Sequence, residues 1–389
     1  QRRIVDAIEA QFSRLDVAVA TLERAQANLK RYKAAVLQAA CEGRLVPTEA
    51  ELAREEGRDY EPAEVLLERI LAERRRKWEE ARWAELVERA KKKAAQAERK
   101  AAGLPYYLRE LPEASWVDRP EEEYAPYLPK GDRWKAKYEE PEPPDTEGLP
   151  ELPEGWVWAR AEQLIEFSQN GISKRHSELG SPTTVLRLAD IVNGNRIDLA
   201  NIRKIRLVQD EVDKYRLAKG DLLCIRVNGS PDLVGRFIPF FDADLPIAFC
   251  DHFIRFRLVN PELVEPIAAF LHSDRVRKHV ELHKVSSAGQ NTVSQGTMES
   301  VPIPLPPLAE QRRIADELAR RASLVEDIQG IIQASWARAG RLRQSILKRA
   351  FEGRLVPQDP DDEWVSSDCE AARADPHNAD VVQDRLPGM

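Results

Sequence analysis

The chain has 389 residues, 32% of them charged and 7% aromatic, with 59 Lys and Arg against 66 Asp and Glu and a formal net charge of −7. That length allows two or three domains, and the acidic balance excludes a protein that coats nucleic acid by bulk charge. No run of about 18 apolar residues occurs, which excludes a membrane-spanning helix; four scattered cysteines (Cys41, Cys224, Cys250, Cys369) and no secretory leader predict a reduced, cytoplasmic setting without disulfides.

Residues 1–47 open QRRIVDAIEA and close CEGRLVP, while 311–357 open QRRIADELAR and close FEGRLVP, aligning without a gap at about a third identity. A repeat of this kind exposes architecture before any local propensity does. In the first copy Ile8, Leu15, Leu22, Leu29 and Val36 fall seven apart, with Val5, Phe12 and Val19 in the companion series. These are the d and a seats of a heptad. The second copy keeps Leu318, Val325, Ile332, Ala339 and Ile346 in the d series, with a poorer a series. Gly43 and Gly353 stand where each helix ends. Two long helices, at 1–47 and 309–357, are therefore expected to pair antiparallel along a seam of Ile8, Leu15, Leu22, Leu29, Val36, Leu318, Val325, Ile332 and Ile346.

Residues 48–102 read as a charged helical extension whose alternating charges mark a solvated face. Residues 103–153 are Pro-rich and read as an extended linker. Residues 154–308 contain short β-rich runs at 184–188, 222–227, 236–241 and 253–258, with helical stretches around 160–167 and 266–284. The fold class is α+β: one globular α/β domain flanked by two long helices that form an antiparallel coiled coil. The polar, acidic tail 358–389 reads as disordered.

A search for chemistry is nearly empty. There is no phosphate-binding Gly-rich loop, no HExxH, no GxSxG and no Cys/His set with metal-ligand spacing. His279 and His283 share a helical face, a pattern more often polar surface than metal site. Asp221, after Gly220, reads as a turn residue. No catalytic residue and no metal is expected.

Three loops of the globular domain are instead rich in hydrogen-bonding side chains. The first carries Lys174, Arg175 and His176. The second carries Arg226, Asn228, Ser230 and Arg236. The third carries Ser286, Ser287, Gln290, Asn291 and Gln295. Arg, Asn and Gln suit base edges, and Lys and Ser suit phosphates. Any one such loop is ordinarily just solvated; three in one domain point to DNA.

The run SSAGQNTVSQGTMESVPIPLPPLAEQRRI, with PEGWVWARAEQL ahead of it and KGDLLCIRVNGS between, resembles the specificity subunits of type I restriction–modification systems. The resemblance extends from Gln1 to about Pro357, and PLPPLAEQRRI at 304–314 is its most specific element. It implies a non-catalytic subunit that reads one half of a bipartite double-stranded DNA site, the paired helices setting the gap between halves. It also implies methylation (M) subunits using S-adenosylmethionine and restriction or motor (R) subunits using ATP and magnesium, with no cofactor on this chain. Family members carry two recognition domains and this sequence one. An absent upstream domain, or a half-subunit that self-associates, would account for that. The competing readings are a coiled-coil scaffold whose middle domain binds protein, and an enzyme with an unrecognised site.

Overall fold

The computed structural model describes residues 1–103, 116–192, 196–200, 202–241 and 246–357. In chain order the helices are α1 (Arg2–Cys41), α2 (Glu49–Glu56), α3 (Ala63–Ala101), α4 (Glu121–Tyr124), α5 (Ala161–Leu164), α6 (Gln209–Tyr215), α7 (Val264–Phe270), α8 (Asp274–His283), α9 (Gln295–Glu299) and α10 (Leu308–Phe351). The strands are β1 (Val157–Arg160), β2 (Ile165–Asn170), β3 (Ser181–Leu186), β4 (Ile191–Val192), β5 (Arg196–Ile197), β6 (Lys204–Leu207), β7 (Asp221–Ile225), β8 (Val227–Asn228), β9 (Phe237–Phe240), β10 (Ile247–Phe249), β11 (Phe253–Leu258), β12 (Val285–Ser287), β13 (Gln290–Thr292) and β14 (Pro302–Leu305). By contacts the chain divides into two compact units, Gln1–Asn28 with the residues from Asp327 on, and Leu29–Glu326.

In the first unit Arg3 donates to the Pro357 carbonyl at 3.0 Å, and Arg343 pairs with Asp16 at 2.5 Å while lying over the Phe12 ring. In the second, Arg321 donates to the Tyr32 hydroxyl at 3.4 Å and Arg313 to the Glu49 carboxylate at 2.6 Å. In the first unit Asp16 of α1 meets Arg343 while Arg3 meets Pro357 beyond the end of α10, and in the second Tyr32 meets Arg321 while Glu49 of α2 meets Arg313, so α1 and α10 run antiparallel. Leu15, Ile332 and Ile346 are buried in the first unit, and Leu29, Val36 and Val325 in the second. Ile8, Leu22 and Leu318 are half-buried. Val5, expected in an a seat, is 50% exposed. Phe12 and Val19 of the same series are half-buried, and the series turns polar and exposed at Gln26 and Lys33, where the seam narrows to the d residues.

Both helices end as the EGRLVP motif dictates. Gly43 and Gly353 take positive φ, 65° and 67°. The next amide reaches back five residues, from Arg44 to the Ala39 carbonyl at 2.8 Å and from Arg354 to that of Arg349 at 2.7 Å. This is the terminating geometry that glycine adopts at low cost.

The domain core lies in the second unit and is built on the antiparallel sheet β2-β11-β7-β9. Successive side chains face opposite sides. Leu222, Cys224, Ile254 and Phe256 point to a cluster containing Leu164, Leu263, Ile267, Phe270, Met298 and Ile314. Leu223, Ile225 and Phe253 point to a second cluster with Leu186, Leu207, Phe240 and Phe249. A three-stranded sheet, β10-β3-β6, supplies Leu186, Leu207 and Phe249 to that second cluster. β1 pairs with β14, closing the front of the domain onto the segment that enters α10.

Several sequence expectations shift. The helical stretch around 160–167 shortens to α5, because Ile165 onward joins β2 beside β11. The stretch 266–284 divides at Ser273, whose side chain caps α8. The extension 48–102 breaks at Gly57, which takes a left-handed conformation after α2. The Pro-rich segment, expected as an extended linker, packs back on α3: the Trp134 ring lies 6.4 Å from Trp78 at 21°, and Tyr138 accepts from Arg74 at 2.9 Å. The tail 358–389 lies outside the described residues.

Candidate nucleic-acid interface

The second and third polar loops meet in a small antiparallel sheet, β12-β13-β8. Asn291 stands opposite Asn228 and Thr292 opposite Val227. β12 and β13 form a hairpin whose central residues Ala288 and Gly289 both take positive φ, 48° and 75°. A two-residue turn needs that conformation to match strand twist, and glycine makes it accessible. The side chains of Val285 to Gln290 are exposed, so the hairpin projects into solvent.

The first loop is tied to both others. Asn170 donates its amide to the Gln295 carbonyl oxygen at 2.9 Å. Arg175 reaches the Asp251 carboxylate at 3.4 Å, while Arg226 donates to the Asp251 backbone carbonyl at 3.2 Å. Arg226 also lends its backbone carbonyl to Val293 and its amide to the His252 carbonyl. The three loops are thus brought together around Asp251 and the Asn170–Gln295 contact.

The twelve candidate residues divide by what their side chains already do. Lys174 is paired with Glu211 at 2.5 Å, an ammonium contact that holds the Glu211 carboxyl below its ordinary range. Arg236 donates to the Asp232 carbonyl at 2.7 Å. Asn228 accepts from the Ser230 amide at 2.8 Å. Asn291 accepts from the Ser286 hydroxyl at 2.7 Å and donates to the Gly229 carbonyl at 3.1 Å, latching the hairpin to the second loop. Gln295 bridges Asn170 and the Ser168 hydroxyl. Among the described residues no side-chain hydrogen bond engages His176, Ser230, Ser287 or Gln290, so these four remain available to a ligand.

Sequence reasoning passed over Asp251 and Ser168 and took Asn170 only as the start of the first loop; all three join loops that are distant in the chain. Asp221 is more than a turn residue. It is 1% exposed and binds Arg257 through both oxygens, at 2.8 and 2.9 Å, while its Oδ2 also accepts from the Ala218 amide. Arg255, also buried, lies over Phe167 and Phe249 and donates to the Arg216 carbonyl at 2.6 Å. Burial brings the Arg255 pKa down to about 10. Asp221 and Arg255 sit inside the domain, while the Arg257 side chain is 32% exposed. His279 and His283 stack at 4.4 Å, with His279 Nε2 held by the Thr297 carbonyl and His283 Nδ1 by that of His279. Among the described residues no helix is long and apolar enough to cross a membrane.

Residues 153–333 match the family model of the type I restriction modification DNA specificity domain. The chain is similar to the type I restriction enzyme StySPI specificity subunit of Salmonella potsdam, at 38% identity over 52% of this chain and 44% of that protein. It is similar to the EcoKI specificity subunit of Escherichia coli K12 at 29% identity, over 51% of this chain and 42% of that protein. The solved HsdS subunit from Thermoanaerobacter tengcongensis aligns at 22% identity over 53% of this chain and 47% of that one, with a TM-score of 0.35. The chain spans less than half the length of these relatives.

Proposed function

We propose, for a chain that carries a type I restriction–modification DNA specificity domain, that this domain reads one half of a bipartite double-stranded DNA site. The observation that carries the reading is the convergence of three polar loops, with the Asn291 latch holding the β12–β13 hairpin and leaving Gln290 and Ser287 outward. In this reading Gln290 and Ser230 address base edges in the major groove, where amide and hydroxyl groups find hydrogen-bond partners. Arg175 and Lys174 position phosphates, each exchanging its present carboxylate partner for a phosphate oxygen. The paired helices hold the domain at a set distance from whatever reads the other half.

The chain acts as an adaptor without chemistry of its own. Methylation subunits supply S-adenosylmethionine chemistry, and restriction or motor subunits supply ATP- and magnesium-dependent cleavage. Mapping methylated adenines made by the assembled complex tests this. A two-part motif is expected, and substitutions across all three loops should alter one part alone. Methylation of the same sites after those substitutions would overturn the loop assignment.

A further inference from the structure

The turn between β10 and β11 places Cys250, Asp251 and His252 in succession, and their ligand atoms all lie within 4.8 Å of one another. His252 Nδ1 is 3.7 Å from Cys250 Sγ and 3.3 Å from Asp251 Oδ1. Around a tetrahedral zinc ion with ordinary bond lengths, the sulfur–nitrogen edge is ~3.6 Å and the nitrogen–oxygen edge ~3.4 Å. The observed spacings match these two of the three edges, and the sulfur–oxygen edge lies within 4.8 Å. We propose that Cys250, Asp251 and His252 bind one divalent transition-metal ion of the zinc class, leaving a fourth position open to solvent.

Neither a proton relay nor plain hydrogen bonding fits the three side chains as well. In a thiol–imidazole–carboxylate relay, the thiol and the carboxylate occupy opposite ring nitrogens. Here both approach Nδ1, which leaves no path for a proton from one to the other. Hydrogen bonding alone joins the atoms only in pairs: Nδ1–H serves one acceptor, or the Cys250 thiol donates to a bare Nδ1 while Asp251 stays on Arg175. A metal ion engages all three atoms at once.

The turn is prebuilt for this. The Cys250 amide donates to the Leu186 carbonyl at 3.0 Å and the Asp251 amide to that of Ile172 at 3.0 Å. The Phe253 amide closes the turn on the Cys250 carbonyl at 3.1 Å, and the His252 carbonyl accepts from Arg226 at 2.8 Å. Cys250 is 5% exposed, while the Asp251 and His252 side chains are 27% and 32% exposed, so an ion enters from their side. The mixed sulfur, nitrogen and oxygen donors suit zinc or cobalt and disfavour magnesium and calcium.

The charged groups facing the site are Arg175, against the Asp251 carboxylate, Arg226, on the Asp251 carbonyl, and Arg187, which interacts with Cys250. Arg175 is 61% exposed and long enough to swing aside. Metal and guanidinium compete for one carboxylate. Binding takes Cys250 as the thiolate and releases its proton to solvent.

Titration of the reduced, chelator-treated full chain with cobalt(II) tests the proposal. One equivalent should give a near-ultraviolet thiolate-to-cobalt band with visible bands of tetrahedral intensity, and zinc should displace it. Cys250→Ser should remove the thiolate band, and His252→Asn and Asp251→Asn should weaken binding by roughly tenfold or more. Arg175→Ala should tighten it. Because Cys250 is buried, the half-exposed His252 provides the variant that keeps the fold, checked by circular dichroism. Absence of a thiolate band in the parent protein, or a band that survives His252→Asn undiminished, would overturn the site. These readouts involve no DNA, so they stand apart from the recognition reading.

Discussion

Trp156 and Glu310 lie 154 positions apart in the sequence and meet through a 3.1 Å hydrogen bond from the indole Nε1 to the carboxylate. The second carboxylate oxygen accepts from the Glu49 amide at 2.9 Å. One fully buried side chain therefore joins the front of the domain, the start of α2 and the first turn of α10. The glutamate of PLPPLAEQRRI acts as a three-way junction.

Glu310 makes stability depend on pH. Burial pushes its carboxyl up to about 7, although both N–H donors favour the charged form. Between the ordinary 4.5 and about 7 the folded chain binds a proton that the unfolded chain has lost. Its stabilising contribution is present below pH 4.5 and disappears as pH rises through 7, a change of about 3 kcal/mol at most. Denaturant unfolding from pH 5 to 7.5 should show falling stability in the parent. Glu310→Gln, which accepts from only one of the two donors, should be less stable at pH 5 and flatter across the range. Equal slopes would remove Glu310 as the cause.

Asp221→Asn should cost about 3–5 kcal/mol, because it leaves the buried Arg255 and the half-buried Arg257 without their anion. Replacing Arg257 alone should cost a similar amount, and the double substitution less than the sum of the two. Additive losses in a double-mutant cycle would show that the groups act independently.

Val325 is 2% exposed in the helix seam. Val325→Asp places an unpaired carboxylate there and should cost about 2 kcal/mol or more, the cost of a buried unsatisfied polar group. Exposed Leu324, its neighbour, should tolerate the same change. The measurement is the thermal midpoint followed by helical circular dichroism, and equal midpoints would remove the seam.

Gln290 and Asn291 are adjacent yet should respond differently. Gln290→Ala should leave the melting curve unchanged and relax discrimination at one base by about 1–3 kcal/mol. Asn291→Ala loses bonds to Ser286 and Gly229, so the hairpin should loosen and all sequences should bind more weakly. Affinities for a matched and a one-base-altered duplex separate the two outcomes, and identical behaviour would contradict the latch.

The long elements were legible because heptad spacing is a local property: Leu15, Leu29, Val36, Val325, Ile332 and Ile346 are buried as the seven-residue pattern requires. Glycine chemistry placed both helix ends. The strand at Phe253–Leu258 was legible for a similar reason, since β-branched and aromatic residues run together there. What escaped were relationships across the chain. Nothing near Asp221 in the sequence announces Arg257, because their meeting depends on the β7–β11 register. Nothing near Asp251 announces Arg175. The Trp78 and Trp134 rings were hidden for another reason: proline-rich composition signals extension and says little about what an extended segment lies against. A search by ligand spacing likewise passes over Cys250, Asp251 and His252, which have no spacing at all.

Arg313 donates to the Pro47 carbonyl at 3.4 Å in one unit, and Arg3 to the Pro357 carbonyl at 3.0 Å in the other. Moving Arg3 up and Pro357 down by 310 positions gives the other pair, with arginine the donor and the proline carbonyl the acceptor in both. The same clasp is thus written twice, once in each unit. Each copy serves as an internal reference: an identical change made first at Arg3 and then at Arg313 would measure, inside one molecule, what each unit's own surroundings contribute to its clasp.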